Sequence, residues 1–211
     1  MIFCRIGMVV KLQRTNMQRR KALKGDLRRG THSVVGITLA SHRSGLSPWV
    51  RSSLRRLISL PPGVALDIPC GRGRHSRLLI ELGFRVIGAD LDIESLRAAV
   101  CDPKFVGRFV AVQLDAMRPL PVAPESIDLL MVIHPHSLEV LSGALKCLRV
   151  GGYLIYETFG AQGENWRLLP KSRQIPDEIL SGFDALACKE TRVDKARSFV
   201  TSKGLFQKVS P

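Results

Sequence analysis

Five short apolar runs, each followed by a turn or a stretch of helical spacing, leave this chain few architectures to choose from. The runs are Val64–Leu66, Arg85–Ala89, Phe109–Val112, Ile127–Ile133 and Tyr153–Tyr156. The fourth is almost wholly apolar, as befits a strand covered on both faces. Leu78, Leu79 and Leu82 mark a helix closed by Gly83, and Asp92 caps a helix running through Leu96 and Val100 toward Pro103. Leu138, Leu141, Leu145 and Leu148 mark a third, at spacings of three, four and three. Repeated strand–helix units predict a parallel sheet with right-handed crossovers and helices on both faces. Upstream, Ser47-Pro48 supplies an N-cap and a first-turn proline for a short helix carrying Val50, Leu54, Leu57 and Ile58, which Pro61-Pro62-Gly63 stops. Downstream, Pro176-Asp177-Glu178 predicts a helix ending near Gly182, and Leu186–Val193 with Phe199–Val209 predicts a closing hairpin.

The 211 residues carry a net charge of +14, unevenly placed. Residues 1–60 hold 13 Lys or Arg against one acid, Asp26, whereas the remainder holds 19 basic and 17 acidic residues and is nearly neutral. Residues 1–45 show no sustained period and are expected to be a disordered basic extension, with one domain over 46–211. Met8 and Met17 offer alternative starts within it. A nucleic-acid arm or an Arg-rich targeting peptide are the other uses of such a tail, and neither is favoured. No run of about 18 apolar residues predicts a membrane helix. The five cysteines are scattered without a C-x-x-C pair, which argues against a disulfide framework or a zinc site and fits a reducing, cytoplasmic setting. No metal is expected, and oligomeric state is left between monomer and homodimer.

The chemistry-bearing segment follows the first strand: Asp67-Ile68-Pro69-Cys70-Gly71-Arg72-Gly73-Arg74-His75-Ser76. Glycines at 71 and 73 let the backbone turn tightly and approach a ligand, while the next helix offers free N–H groups. Asp90 ends the second strand, 19 residues after Gly71, where a carboxylate can accept ribose hydroxyls. Asp115 follows the third strand, near the place of an adenine amino group. A dinucleotide site is the competing reading. Its fingerprint wants a third glycine where Ser76 stands, and a carboxylate at Asp67 would repel a pyrophosphate. The same carboxylate suits a ligand carrying an ammonium and a sulfonium.

From Val64 to Glu157 the chain resembles the class I, seven-stranded methyltransferases that use S-adenosylmethionine. The resemblance rests on the Asp67–Gly73 turn, Gly88-Ala89-Asp90-Leu91-Asp92, Gln113-Leu114-Asp115-Ala116, Ser126-Ile127-Asp128-Leu129-Leu130 and Leu148-Arg149-Val150-Gly151-Gly152-Tyr153. Cys70–His75 and Ile155-Tyr156-Glu157-Thr158-Phe159 are similar to small bacterial methyltransferases related to the tellurite-resistance type. The resemblance implies a three-layer αβα Rossmann-like fold, a mostly parallel seven-stranded sheet with a C-terminal antiparallel hairpin. It implies that Asp67, Cys70, Gly71 and Gly73 surround the methionine part of S-adenosylmethionine. Asp90 would bind the ribose, Leu91 would pack on adenine, and Asp115 with the Ala116 backbone would read the adenine edge. Pro69 departs from the family's glycine or alanine and removes an N–H. Asp128 matches a family position that is usually structural.

Methyl transfer needs a general base only where the acceptor loses a proton. The candidates are His134 and His136 after the fourth strand, and Tyr156 and Glu157 at the end of the fifth, all expected to face one crevice edge. His75 is read as part of the cofactor shell or as a local cap. The Ile133-His134-Pro135-His136 loop lacks the Asn/Asp-Pro-Pro-aromatic pattern of amino-methylating nucleobase enzymes, and aromatics are only 6%, too few to suggest a stacking platform. A small-molecule acceptor is therefore expected. RNA or protein methylation through the basic N-terminus, and a non-catalytic cofactor-binding role, are the alternatives. Gly160–Arg167 and the N-terminal helix are expected to form a lid.

Overall fold

The computed structural model describes residues 45–135, 137–160, 178–194 and 199–211. His136, most of the expected lid at 160–167 and the start of the helix expected at Pro176 lie outside the described residues. The elements are α1 (Pro48–Arg56), β1 (Val64–Asp67), α2 (Arg74–Glu81), β2 (Arg85–Asp90), α3 (Ile93–Val100) and β3 (Phe109–Gln113), with a single 3-10 turn before β3. They continue as β4 (Ile127–Ile133), α4 (Leu138–Leu145), β5 (Leu148–Gly160), β6 (Phe183–Asp194) and β7 (Phe199–Lys208). The seven strands lie in the order β3-β2-β1-β4-β5-β7-β6. The first five are parallel, β7 runs antiparallel to β5, and β6 antiparallel to β7. This is the three-layer Rossmann-like architecture with its C-terminal hairpin. Strand order reverses between β1 and β4, the point where α/β sheets open a crevice for ligands.

Alternation along the strands divides the core. Leu66, Ile68, Ala89, Leu130, Val132, Leu154, Tyr156 and Phe206 pack against Val140, Leu141, Ala144 and Leu145 of α4. The residues between them, among them Ala65, Asp67, Met131, Ile155 and Glu157, turn to the opposite face, where α2 and α3 lie on β1 to β3 and α1 meets β5. Complete burial of Leu66, Leu130, Leu141 and Leu154 is the main stabilising contribution, about 1.5–3 kcal/mol for each such side chain.

Two expectations need correction. Leu148 belongs to β5, not to the preceding helix: α4 stops at Leu145, and Leu148 already pairs with Ile127. The next pair is Leu129 with Tyr153, so five residues of β5 oppose two of β4 and the excess bulges out. Gly151 sits in this bulge at φ +80, and a Cβ on Gly152 would come within 2.9 Å of the Arg149 carbonyl oxygen. The Gly-Gly pair therefore makes a bulge inside β5. The apolar stripe of α1 also ends early, since Val50, Leu54 and Leu57 are buried but Ile58 is 59% exposed.

Candidate active site

The register of β1, β2 and β3 sets three carboxylates in steps along the carboxyl edge. Asp67 pairs with Gly88, two residues before Asp90, and Asp90 pairs with Gln113, two residues before Asp115. Adjacent strands lie about 4.8 Å apart, so residues 67 and 90 end neighbouring strands and residue 115 follows the third, stepping outward from the switch point. Asp128, by contrast, sits at the other end of the sheet. Its carboxylate accepts from the Val64 N–H at 2.6 Å and from Arg149 Nε at 2.6 Å, holding the start of β1 to β5.

Asp67 is wholly buried, and Ser76 Oγ donates to its Oδ2 at 2.6 Å. Its Oδ1 has no hydrogen-bond partner. Burial pushes the Asp67 carboxyl up to about 7, against the opposing effects of Ser76 and Arg74. Sequence reasoning noticed Ser76 only as a missing glycine; its hydroxyl is what holds the carboxylate. Beyond Asp67 the chain passes through a cis Ile68–Pro69 bond, and the Cys70 N–H donates to Ala89 O at 2.9 Å. The Cys70 thiol is pushed up by burial and by the carboxylates of Asp67 and Asp90, so it is inert as a nucleophile. The two glycines differ in what requires them. Gly73, at φ +72, caps α2 with no room for a side chain: a Cβ would meet the Phe105 ring at 2.7 Å. Gly71, at φ +54, faces open space with nothing within 4 Å. One glycine is filled by the core, and the other leaves a concavity.

Asp90 ties the two loops together. Its Oδ2 accepts from the Gly71 N–H at 2.7 Å and its Oδ1 from the Asp92 N–H at 2.9 Å. A carboxylate has about four acceptor positions, so hydroxyls of a ligand can still be accepted. Leu91 stands 66% exposed just past β2, where Gln113 Nε2 donates to its carbonyl at 3.2 Å. Asp115 Oδ1 accepts from the Met117 N–H at 3.0 Å, and Arg118 pairs with Oδ2 at 3.6 Å. Ala116 is half-buried against the α4 side of the core.

On the other side of the switch point, β4 and β5 end in a polar cluster. Glu157 pairs with Ile133 and faces α1 and α2; its carboxylate accepts from the Ser47 hydroxyl and pairs with Lys203 Nζ at 3.4 Å. Ser47 is also the N-cap of α1, taking the Trp49 and Val50 N–H groups, while its own N–H donates to His75 Nε2 at 3.2 Å. His75 is 4% exposed, and burial pushes it down to about 3, with Arg74 and His134 adding to the effect. It supports α1 from below rather than capping its own helix. The His134 N–H donates to Glu157 O at 2.6 Å. Tyr156 does not join this edge. Consecutive strand residues point to opposite faces, and Tyr156 is buried on the α4 side, where burial pushes its hydroxyl up to about 12. Ser47 and Lys203 were not singled out as site residues; the sequence marks Ser47 only as an N-cap, and Lys203 lies in a strand of mixed polarity.

Residues 65–152 match the methyltransferase domain family. A ubiquinone biosynthesis O-methyltransferase from Idiomarina loihiensis is 30% identical over 152 residues, covering 61% of this chain and 63% of that protein. The chain thus spans about three-fifths of the length of the curated relative it matches. Among solved structures, geranyl diphosphate C-methyltransferase from Streptomyces coelicolor, bound to S-adenosyl-L-homocysteine, gives a TM-score of 0.62 at 11% identity, covering 75% of this chain and 76% of that one. TehB from Haemophilus influenzae gives 0.58 at 14% identity, covering 75% and 62%. These likenesses are of fold. Strand order and the match over residues 65–152 make this chain similar to methyltransferases, in its fold and in that part of its sequence.

Proposed function

We propose that this chain binds S-adenosylmethionine and transfers its methyl group to a small-molecule acceptor. The observation that carries the reading is the pairing of a wholly buried carboxylate, Asp67, whose Oδ1 lacks a partner, with an open left-handed glycine, Gly71, beside it. A buried unpartnered carboxylate oxygen is costly unless something completes it. An ammonium group does so; a pyrophosphate would be repelled. Asp90 then lies one strand over for ribose hydroxyls, and Asp115 one strand further for an adenine edge, with exposed Leu91 as its apolar floor. The bound cofactor supplies a methyl group already activated on cationic sulfur. The chain's own residues hold its cationic end, align an acceptor and exclude water.

The name of the Idiomarina relative supports a small acceptor, and an oxygen nucleophile in particular. Four described cysteines are free thiols, which fits the cytoplasmic setting proposed here. No helix among the described residues is long and apolar enough to cross a membrane. The test is transfer of labelled methyl from S-adenosylmethionine by the full chain to a panel of small phenols, thiols and oxyanions, alongside bulk RNA and protein. Label is expected in the small acceptors. Label in RNA or protein alone would contradict the acceptor class, and none in any would favour a non-catalytic binding role.

A further inference from the structure

We infer that this chain carries a second binding site, on the α4 side of β2 and β3, for a free medium-chain aliphatic carboxylate. The inference is independent of what the row of Asp67, Asp90 and Asp115 binds.

The layering of the fold creates the site. Among the described residues, α2 and α3 pack on one face of β2 and β3, while α4 packs against β4. The other face of β2 and β3 is left to residues 114–126, which lead from β3 to β4 and form neither helix nor strand. That segment does not close on the sheet. A cavity of about 250 Å³ remains, with Ile87, Val110 and Val112 of the sheet on one side and Leu114, Leu120 and Val122 on the other. Every side chain lining it is apolar. Val110 is 60% exposed at its rim, on the edge strand β3, so the cavity opens to solvent there. Water in such a space finds no side chain to bond, and an apolar ligand displaces it favourably. A cavity of about 150 Å³ takes one benzene, so on that scale this one takes an alkyl chain of about ten carbons.

A second hollow, of about 380 Å³, lies between the same segment and α4. It shares Leu120 and Val122 with the first, so the two adjoin at these side chains. Its chemistry differs. Arg118, Glu139 and Lys146 line it, and Gly143 of α4 leaves it room, since a Cβ there would meet nothing within 4 Å. Lys146 is exposed, and Arg118, also exposed, reaches Asp115 at 3.6 Å. Two cations against one carboxylate favour an anionic head group. An alkyl tail in the aliphatic cavity and a carboxylate in the cationic hollow together satisfy both. The segment covering the cavity leaves entry for a single chain at the β3 side, which selects a free molecule over a bilayer surface.

Calorimetric titration of the full chain with hexanoate, octanoate and decanoate is the test. Affinity should rise about fourfold for each added methylene, the equilibrium equivalent of burying one in an apolar site. 1-Decanol should bind wild type more weakly than decanoate does, and the two should bind equally to Arg118→Gln/Lys146→Gln. Val110→Glu, a charge at an exposed rim position, should weaken decanoate by about tenfold or more. Whatever that variant's folding, decanoate carrying a terminal diazirine should label residues within 110–122 when irradiated with wild type. Failure of decanoate to bind, an affinity that does not grow with chain length, or label confined to other residues would overturn the site. Unchanged decanoate affinity in folded Val110→Glu would overturn the placement of the tail. Decanol binding wild type as tightly as decanoate would overturn the carboxylate head group.

Discussion

Replacing Glu157 with alanine is expected to destabilise the protein by about 3–5 kcal/mol, the usual consequence of stranding one partner of a buried ion pair. Lys203 is the stranded partner: its side chain is 14% exposed, and its ammonium pairs with Glu157 at 3.4 Å. The same substitution releases the Ser47 hydroxyl, and with it the tie between the N-cap of α1 and the end of β5. A domain of this kind has about 5–15 kcal/mol in total, so the loss should move the denaturant midpoint far and leave the slope unchanged. Glu157→Gln keeps the acceptor for Ser47 and removes only the charge, so it should fall between alanine and wild type. A loss below about 1 kcal/mol for Glu157→Ala would show that the pair is solvated and that α1 is held by apolar contacts alone.

Asp67→Asn is expected to act in opposite directions on stability and on binding. Burial raises the Asp67 carboxyl to about 7, so the folded state binds a proton there that the unfolded chain releases near its ordinary value. The ligand-free protein therefore keeps this contribution in acid and loses it as pH rises from about 4 to about 7, in total about 4 kcal/mol. Asparagine does not ionise and escapes the loss. Ligand-free Asp67→Asn should unfold at higher denaturant than wild type at pH 8, with the difference vanishing near pH 4. Its affinity for S-adenosylmethionine should fall by about tenfold or more, as expected for losing a charged hydrogen bond. Below pH 7, binding to wild type should release a proton, seen as a buffer-dependent heat. Equal stability of the two proteins at pH 8 would contradict a buried, destabilised carboxylate. The arrangement is a trade of stability for a pre-formed cation site.

The sheet, and the row of carboxylates proposed to hold the cofactor, were legible because their signals are local. Strand spacing, the glycine turn and a strand-end aspartate each declare themselves within a few residues, and register then aligns Asp67, Asp90 and Asp115. The acceptor edge was legible only in part. His134 and Glu157 are visible as polar residues after strands, but pairing them with Ser47 and Lys203 requires contacts across 110 and 46 positions of sequence. Tyr156 was misread for a different reason. Period-two alternation sends neighbours to opposite faces, so it and Glu157 cannot share one edge while both stay in strand. The bulge at Gly151-Gly152 hid Leu148 within β5 because a leucine at helical spacing extends a stripe equally well. Gly71 and Gly73 looked alike as letters; the Phe105 ring, 32 positions away, distinguishes them.

Calorimetric titration of the full chain with S-adenosylhomocysteine and, separately, with NAD bears most directly on the claim that this edge grips a cationic, adenosine-bearing ligand. S-adenosylhomocysteine should bind to wild type and about tenfold to a hundredfold more weakly to Asp90→Ala, the loss of one or two hydrogen bonds to a charged acceptor. NAD should bind far more weakly than either. Tighter binding of NAD than of S-adenosylhomocysteine, or an Asp90→Ala protein that binds as wild type does, would contradict it.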